Sequence, residues 1–443
     1  MSRSGKSPKK LFVMMNRLLA HDDRRTAHYT FLCFSAAPIA GSIASIAVIA
    51  GAVGGIIEVC RRIIPVSRDR VMMLLATPLV AYSLTYLLSL VANPYPAWKD
   101  ALPVLPFLMF PFLYSSWCLS RKETVARATV FGSVVGCYGA LVLAAVQFHA
   151  LGIRAEGGAS NPIVFATVTC LTASMALAGS LVARRTWEMA FFFGAYCAGA
   201  MAILYSGTRI TWVALLLSSL AILWIFRDCW LQSLSRRTVS VLALALAAMA
   251  LVAAYAAPPR LEALKQDWRQ IQELGNYDSS LGRRLVLWRT AIDAIQRAPI
   301  IGTGPQSTKP MTWEAMSNAG LRGGYTHFHN GLLTVMVETG VLGAIFLFLV
   351  FAFAAGIAVG ALRRASTVET RLGATMLVVV VITYLTGGAT GILLGHDILD
   401  AMLIAFLAAG GYLASGASLL NDAMTVSSED IGSWNDRPEI TLR

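Results

Sequence analysis

Charge is what this sequence has least of. Only 14% of its 443 residues are Asp, Glu, Lys or Arg, where a soluble domain carries about 25%. A water-facing globular surface cannot be covered from that supply. The apolar residues, 56% of the chain, fall in blocks of about 20, the length that crosses ~30 Å of hydrocarbon as a helix. The chain therefore reads as an all-α polytopic membrane protein. Other absences narrow the chemistry. The apolar stretch LFVMMNRLLA near the start is interrupted by Asn16 and Arg17, and no small-x-small site follows, so it reads as an interfacial amphipathic helix and not a cleaved leader. The seven cysteines (33, 60, 118, 137, 170, 197 and 229) form no CxxC pair, which leaves them as small buried hydrophobes, neither a disulfide framework nor a zinc site. There is no GxSxG nucleophile turn. No DxD or carboxylate cluster stands in the loops that carry the other polar motifs, so a metal-held pyrophosphate is not expected. GTGP at 302–305 lacks the lysine and helix register of a phosphate-binding loop and reads as a turn.

What charge there is follows a pattern. The formal net charge is +12, but the distribution argues against a nucleic-acid partner. Segments 1–28, 60–70, 120–127, 183–188, 227–237 and 362–371 hold 22 of the 36 basic residues. The alternate short loops, 92–100, 150–160, 206–209 and 395–397, hold one each or none. Basic short loops stay on the cytoplasmic side, so both termini lie inside. This requires the apolar block 29–59 to be a hairpin of two spans, turning at SAAPIAGS. The count then comes to about 12 transmembrane helices. The organisation expected is a basic cytoplasmic N-terminus (1–28), spans one to nine (29–257), a large periplasmic loop (258–328), spans ten to twelve (329–416) and a polar cytoplasmic tail (417–443). Long loops translocate whatever their charge. This one is helical: LEALKQDWRQIQEL carries an apolar stripe, and SLGRRLVLWRTAIDAIQRAP gives a second helix with Ser280 as its cap and Pro299 beyond its end.

Three places on the outer face carry polar residues that lipid would not select. Arg209, in YSGTRITW, either snorkels to the interface or binds an anion. At 100° per residue Arg284 falls among Leu281, Trp288, Ile292 and Ile295 on the apolar face of its helix, whereas Arg283 points to the polar side. An arginine on a packing face needs an anionic partner, and a bound anion is the sharper reading. The third place is GGYTHFHNGLLTVMVETGVLG, residues 323–343, where His327, His329 and Asn330 stand against an apolar run. A lone histidine there is more often structural; two, with an asparagine and two candidate anion-binding arginines, shift the balance toward a site. His327, two residues earlier on an extended approach, projects differently from His329. Gly340 and Gly343 allow close helix approach. Glu338 reads first as a structural partner.

HFHNGLLTVMVETGVLG resembles the His-Asn, nine residues, Gly-x-x-Gly pattern of the O-antigen ligase and polymerase superfamily, at His329, Asn330, Gly340 and Gly343. SLGRRLVLWRTAIDAIQRAPIIGTGP is similar to that family's Arg-Leu-x-x-Trp helix and following turn, aligning Arg284 and Trp288, and SGTR to its earlier arginine motif, aligning Arg209. The motif resemblance spans roughly 200–345; the N-terminal half is similar in hydropathy alone. It implies a membrane-embedded glycosyltransferase of the GT-C type in the bacterial inner membrane, active on the periplasmic face without a cofactor. The donor would be an undecaprenyl-pyrophosphate-linked polysaccharide and the acceptor a lipid A-core sugar. His329 would be the general base and Arg209 and Arg284 the pyrophosphate ligands, with His327, Asn330 and Trp288 in support and no metal. A single inverting displacement fits one base and no nucleophilic carboxylate. A polymerase, an O-linked oligosaccharyltransferase and, from another class, a transporter or lipid flippase are the competing readings.

Overall fold

The computed structural model describes residues 8–61, 69–93, 97–228, 262 and 265–415, with side chains from residue 23 onward. Among them the chain is helical throughout. Nine helices are long and apolar enough to cross a membrane, and a tenth, shorter one is also apolar. The protein is a polytopic α-helical membrane protein. The expected span at 238–257 and the tail at 417–443 lie outside the described residues.

Helix α1 (Pro8–Ile39) runs unbroken through the boundary expected at 28/29 and turns at Ala40 into α2 (Gly41–Cys60), so the SAAPIAGS hairpin is present. Helix α3 (Arg70–Ala92) starts at Asp69, whose carboxylate accepts from Val71 N. The next crossing is broken by its prolines into a 3₁₀ stretch (Trp98–Val104), α4 (Leu105–Leu108) and α5 (Phe110–Cys118), as expected where proline removes a donor. Then come α6 (Lys122–Ala145), α7 (Pro162–Val182), α8 (Thr186–Ser206) and α9 (Arg209–Ile225). Proline at the first position of α7 and Asn161, which accepts from Ile163 N and Val164 N, set its start. After a helix at 265–274, α10, follow α11 (Ser280–Arg297) and α12 (Thr308–Asn318). Three further crossings, α13 (Gly331–Arg364), α14 (Val368–Gly388) and α15 (Asp397–Ala414), complete the described chain.

Helices α7 and α15 are almost wholly buried and form the centre of the bundle. Small residues let neighbours close on them. The polar groups of α7 are satisfied within the helix: Thr167, Thr169 and Ser174 each donate to the carbonyl four residues earlier, as lipid and dry packing both demand.

Loops sort to two faces. At one, Arg121 pairs with Asp23 at 2.7 Å, Tyr114 donates to Asp69 at 2.6 Å, and Lys122 donates to the Ser415 carbonyl. At the other, Gly158 N donates to Pro38 O, Ala155 N to Tyr205 O, and Ser89 Oγ to Glu338 O. The 280–330 segment sits on this second face. It has its own small core, Leu287, Ala291 and Ala294 of α11 packed with Met316, Phe328 and Val337.

Two expectations about α11 need correction. Its cap is Ser279, which accepts from Gly282 N at 3.0 Å, not Ser280. Its buried line is Leu287, Ala291 and Ala294, while Ile292 is 48% exposed. Counting large side chains missed the alanines, whose small size lets the helix approach closely. Arg284 therefore sits at one edge of the buried face and Arg283 near the other, instead of on opposite sides. A third helix in the segment, α12, was not foreseen.

Candidate active site

The histidine segment is pinned from three directions. Trp288 of α11 donates its indole N–H to Phe328 O at 3.2 Å. Phe328 is fully buried, and its N–H donates to Thr334 Oγ1 at 3.2 Å. Asn330 caps α13, accepting from Leu333 N at 3.1 Å. That role was legible in principle, since asparagine before an apolar run is a helix-start signal. Between these anchors His329 takes a left-handed backbone, φ 51°, a conformation that costs a non-glycine residue about 1 kcal/mol or more. The turn brings His329 back over its neighbours. Its ring centroid lies 4.5 Å from that of His327 and 4.6 Å, edge to face, from that of Tyr325. The expected divergence of the two histidines is thus wrong: the approach is not extended at His329, and the rings meet.

Tyr325 is a site residue the sequence did not flag. Its N–H donates to Thr312 Oγ1 at 3.1 Å, and the same hydroxyl donates to its carbonyl. Arg283 reaches the Tyr325 hydroxyl at 3.4 Å and Arg322 O at 3.2 Å, and is itself held by Asp278 at 2.8 Å. Arg283 is therefore a clamp for the segment, not a side chain turned to solvent. Arg284 lies close enough to His329 to act on its charge. Burial first, and then the Arg284 guanidinium, push the His329 pKa down to about 4; burial and then His329 push His327 down to about 4 as well. Both rings are neutral at neutral pH, each with a nitrogen lone pair to offer.

Beneath the histidines α13 is broken. Gly340 adopts φ 67° and ψ −173° inside the helix, and the GTGP stretch docks in the gap. Thr303 N donates to Val337 O at 2.7 Å, Gly304 N to Glu338 O at 3.2 Å, and Val341 N to Pro299 O at 2.8 Å. The docked backbone takes up groups that the break releases. A methyl group on Gly340 would overlap the Ile300 carbonyl. Gly340 does allow close approach, but of a backbone segment and not of a helix. Gly343 has the Thr339 side chain against it. Glu338 accepts on Oε1 from Gln306 N at 3.1 Å and Thr308 Oγ1 at 2.8 Å, which fixes the start of α12 and makes it the structural partner expected.

Arg209 is exposed at the first position of α9. Among the described residues no hydrogen bond or ion pair ties it to the histidine segment. It shares their face through a chain of contacts. Thr208 donates to Pro162 O at 3.2 Å, Ile163 packs against Gly391, and Leu393 packs against Gly331. Arg154, another residue not foreseen, lies over the Gly207 turn and donates to Ser206 O at 2.9 Å.

A neutral imidazole beside the half-buried Arg284 guanidinium, with the exposed Arg209 on the same face, can accept a proton while an anion is held nearby. Residues 193–348 match the O-antigen ligase family. That stretch contains every residue singled out by sequence: Arg209, Arg284, Trp288, His327, His329, Asn330, Gly340 and Gly343. An uncharacterised protein of Haemophilus influenzae is 24% identical over 284 residues, 61% of this chain and 68% of that protein. The exopolysaccharide production protein ExoQ of Rhizobium meliloti is 38% identical over 80 residues, 16% of this chain and 18% of that protein.

Proposed function

We propose that the protein is an O-antigen ligase, moving a glycan from an undecaprenyl-pyrophosphate carrier to a sugar hydroxyl of the lipid A core at the periplasmic face of the bacterial inner membrane. The observation that carries this reading is a neutral His329 held in a strained turn beside Arg284, inside the stretch that matches the O-antigen ligase family.

The chemistry follows from the residue types. Pyrophosphate leaves readily once its growing charge is matched, and guanidinium forks do this without any loss of their own proton. Arg284 and Arg209 are assigned that task. The acceptor oxygen bonds to the anomeric carbon as the carbon–phosphate oxygen bond breaks, its electron pair departing on pyrophosphate. His329 takes the hydroxyl proton. One base and one displacement give inversion. Trp288 and Asn330 hold the backbone on either side of His329, and His327 stands beside it.

The similarity to an exopolysaccharide production protein favours one second reading, a polymerase whose acceptor is another carrier-linked glycan. Transport is not supported by the broken helix, because its gap is filled by the 299–304 backbone and opens no passage. Lipopolysaccharide gels of a deletion strain separate the first two. Loss of a ligase leaves bare lipid A-core with polymerised glycan retained on its carrier. Loss of a polymerase leaves core capped by single units, and that outcome would overturn the ligase assignment.

A further inference from the structure

His327 stands one ring away from the proposed base and faces the other way into the protein. Its Nδ1 meets Thr326 Oγ1 at 3.2 Å, while its Nε2 is buried without a hydrogen-bond partner. A buried polar atom left unpaired is unfavourable, because it has given up water for nothing, and this calls for a partner. Beside it lies a cavity of about 30 Å³, lined by His327, Tyr82, Tyr86, Gln306, Glu338 and Asp400 among others. That is room for one or two water molecules with polar groups on several sides. Both donors to Glu338 land on Oε1, so Oε2 is the oxygen that can meet cavity water. Asp400 receives Gly395 N on both of its oxygens, at 3.2 and 3.1 Å.

We infer that His327 is the second station of the reaction proton: what His329 takes from the acceptor hydroxyl passes to His327 and is held there, across cavity water, by the Glu338 carboxylate. This rests on the ligase reading and extends it. The physical reason is position. Arg284 disfavours positive charge on His329. Moving that charge one ring away from the guanidinium, toward a carboxylate, makes the pair a stronger base than His329 alone. The groups facing the pair are Arg284 and Tyr325 on one side and Tyr82, Tyr86, Glu338 and Asp400 on the other. The step balances: the hydroxyl O–H breaks as its oxygen bonds to the anomeric carbon, the leaving electron pair stays on pyrophosphate, and one proton enters at His329, is taken up at His327 Nδ1, the nitrogen beside the Thr326 hydroxyl, while Nε2–H points to the cavity water, and leaves to bulk water after release.

The test uses the full-length protein in lipid nanodiscs with a defined carrier-linked donor and a core acceptor. Turnover is measured against pH at saturating donor for the wild type, His327→Gln, Glu338→Gln and the double variant. Glutamine at 327 keeps a polar group for the cavity but cannot carry the proton. Glutamine at 338 keeps an oxygen for Gln306 and Thr308. Each single variant is expected to lower turnover roughly tenfold and to move the acid limb to lower pH, because removing the carboxylate or the second ring weakens the base. The double variant should be no worse than either single one. Unchanged turnover, a lower plateau with an unmoved limb, or losses that multiply would overturn the relay and leave His327 and Glu338 as packing groups. His329→Ala separates the two levels. If it retains the wild-type profile, the assignment of the base fails; if it is inactive while His327→Gln is fully active, the relay alone falls.

Discussion

At the scale of the residue, pH acts on the site first through His329. With its pKa pushed to about 4 by burial and Arg284, His329 stays an unprotonated base well below the pH at which a free histidine titrates, ~6.5. Activity is lost only where the base becomes protonated, so the acid limb of kcat/KM, which reports the free enzyme, should lie near pH 4. An anion bound beside Arg284 offsets the guanidinium and favours the protonated ring. The acid limb of kcat should accordingly lie at higher pH than that of kcat/KM. Coincident limbs near 6.5 would mean that neither burial nor Arg284 acts on His329. Arg284→Ala should lower transfer at least ~10²-fold with protein level unchanged, and Arg284→Lys should restore little, because an ammonium cannot make the paired contacts of a guanidinium. Arg283→Ala should cost less, since Thr312 still holds the Tyr325 backbone. Donor titrations of the purified variants check all three, and a dispensable Arg284 beside an essential Arg283 would reverse the assignment.

Among the elements, α13 carries the sharpest prediction. Gly340→Ala combines a left-handed backbone with overlap on Ile300 and should destabilise by roughly 1–3 kcal/mol or more. Gly356→Ala, in the same helix with open space around it, should be neutral or slightly stabilising, as alanine is the better helix former. Thermal unfolding of the two variants in detergent compares them directly; equal midpoints would show that the break is not needed. This break also marks where sequence reading stops. The hairpin at Ala40, the helix bearing Arg284 and Trp288, and the span after Asn330 were all legible, because periodicity, caps and hydropathy are local signals. The docking of 299–304 into α13 was not. A glycine reads only as small, and nothing in GTGP names the helix some 35 residues away that it enters. Arg283 was misjudged for a related reason. Its partners at 322 and 325 are joined to it by the folded chain, and no spacing rule reaches across that distance. The cavity behind His327 is more remote still, assembled from residues near 82, 306, 338 and 400.

At the scale of the whole molecule, the two-faced sorting of loops becomes an orientation once charge is added. A cysteine placed in α10, at 265–274, should react with a membrane-impermeant thiol reagent in intact spheroplasts, and one at 365–368 should not, with the native cysteines replaced. Equal labelling would undo the proposed placement of the site on the outer side of the membrane. The burial of α15 bears on how the protein is made. Synthesis runs from the N-terminus, so the helix at the centre of the bundle is the last of the described crossings to leave the ribosome. Its neighbours enter the bilayer before the surface they pack against exists, and must wait as a loose ring with small and polar faces turned to lipid. Assembly is then a late, all-or-none closure, and an interrupted chain exposes its defect throughout. A stop codon before Asp397 should yield a protein degraded as a whole in the membrane, where one lacking a peripheral crossing would lose only its margin.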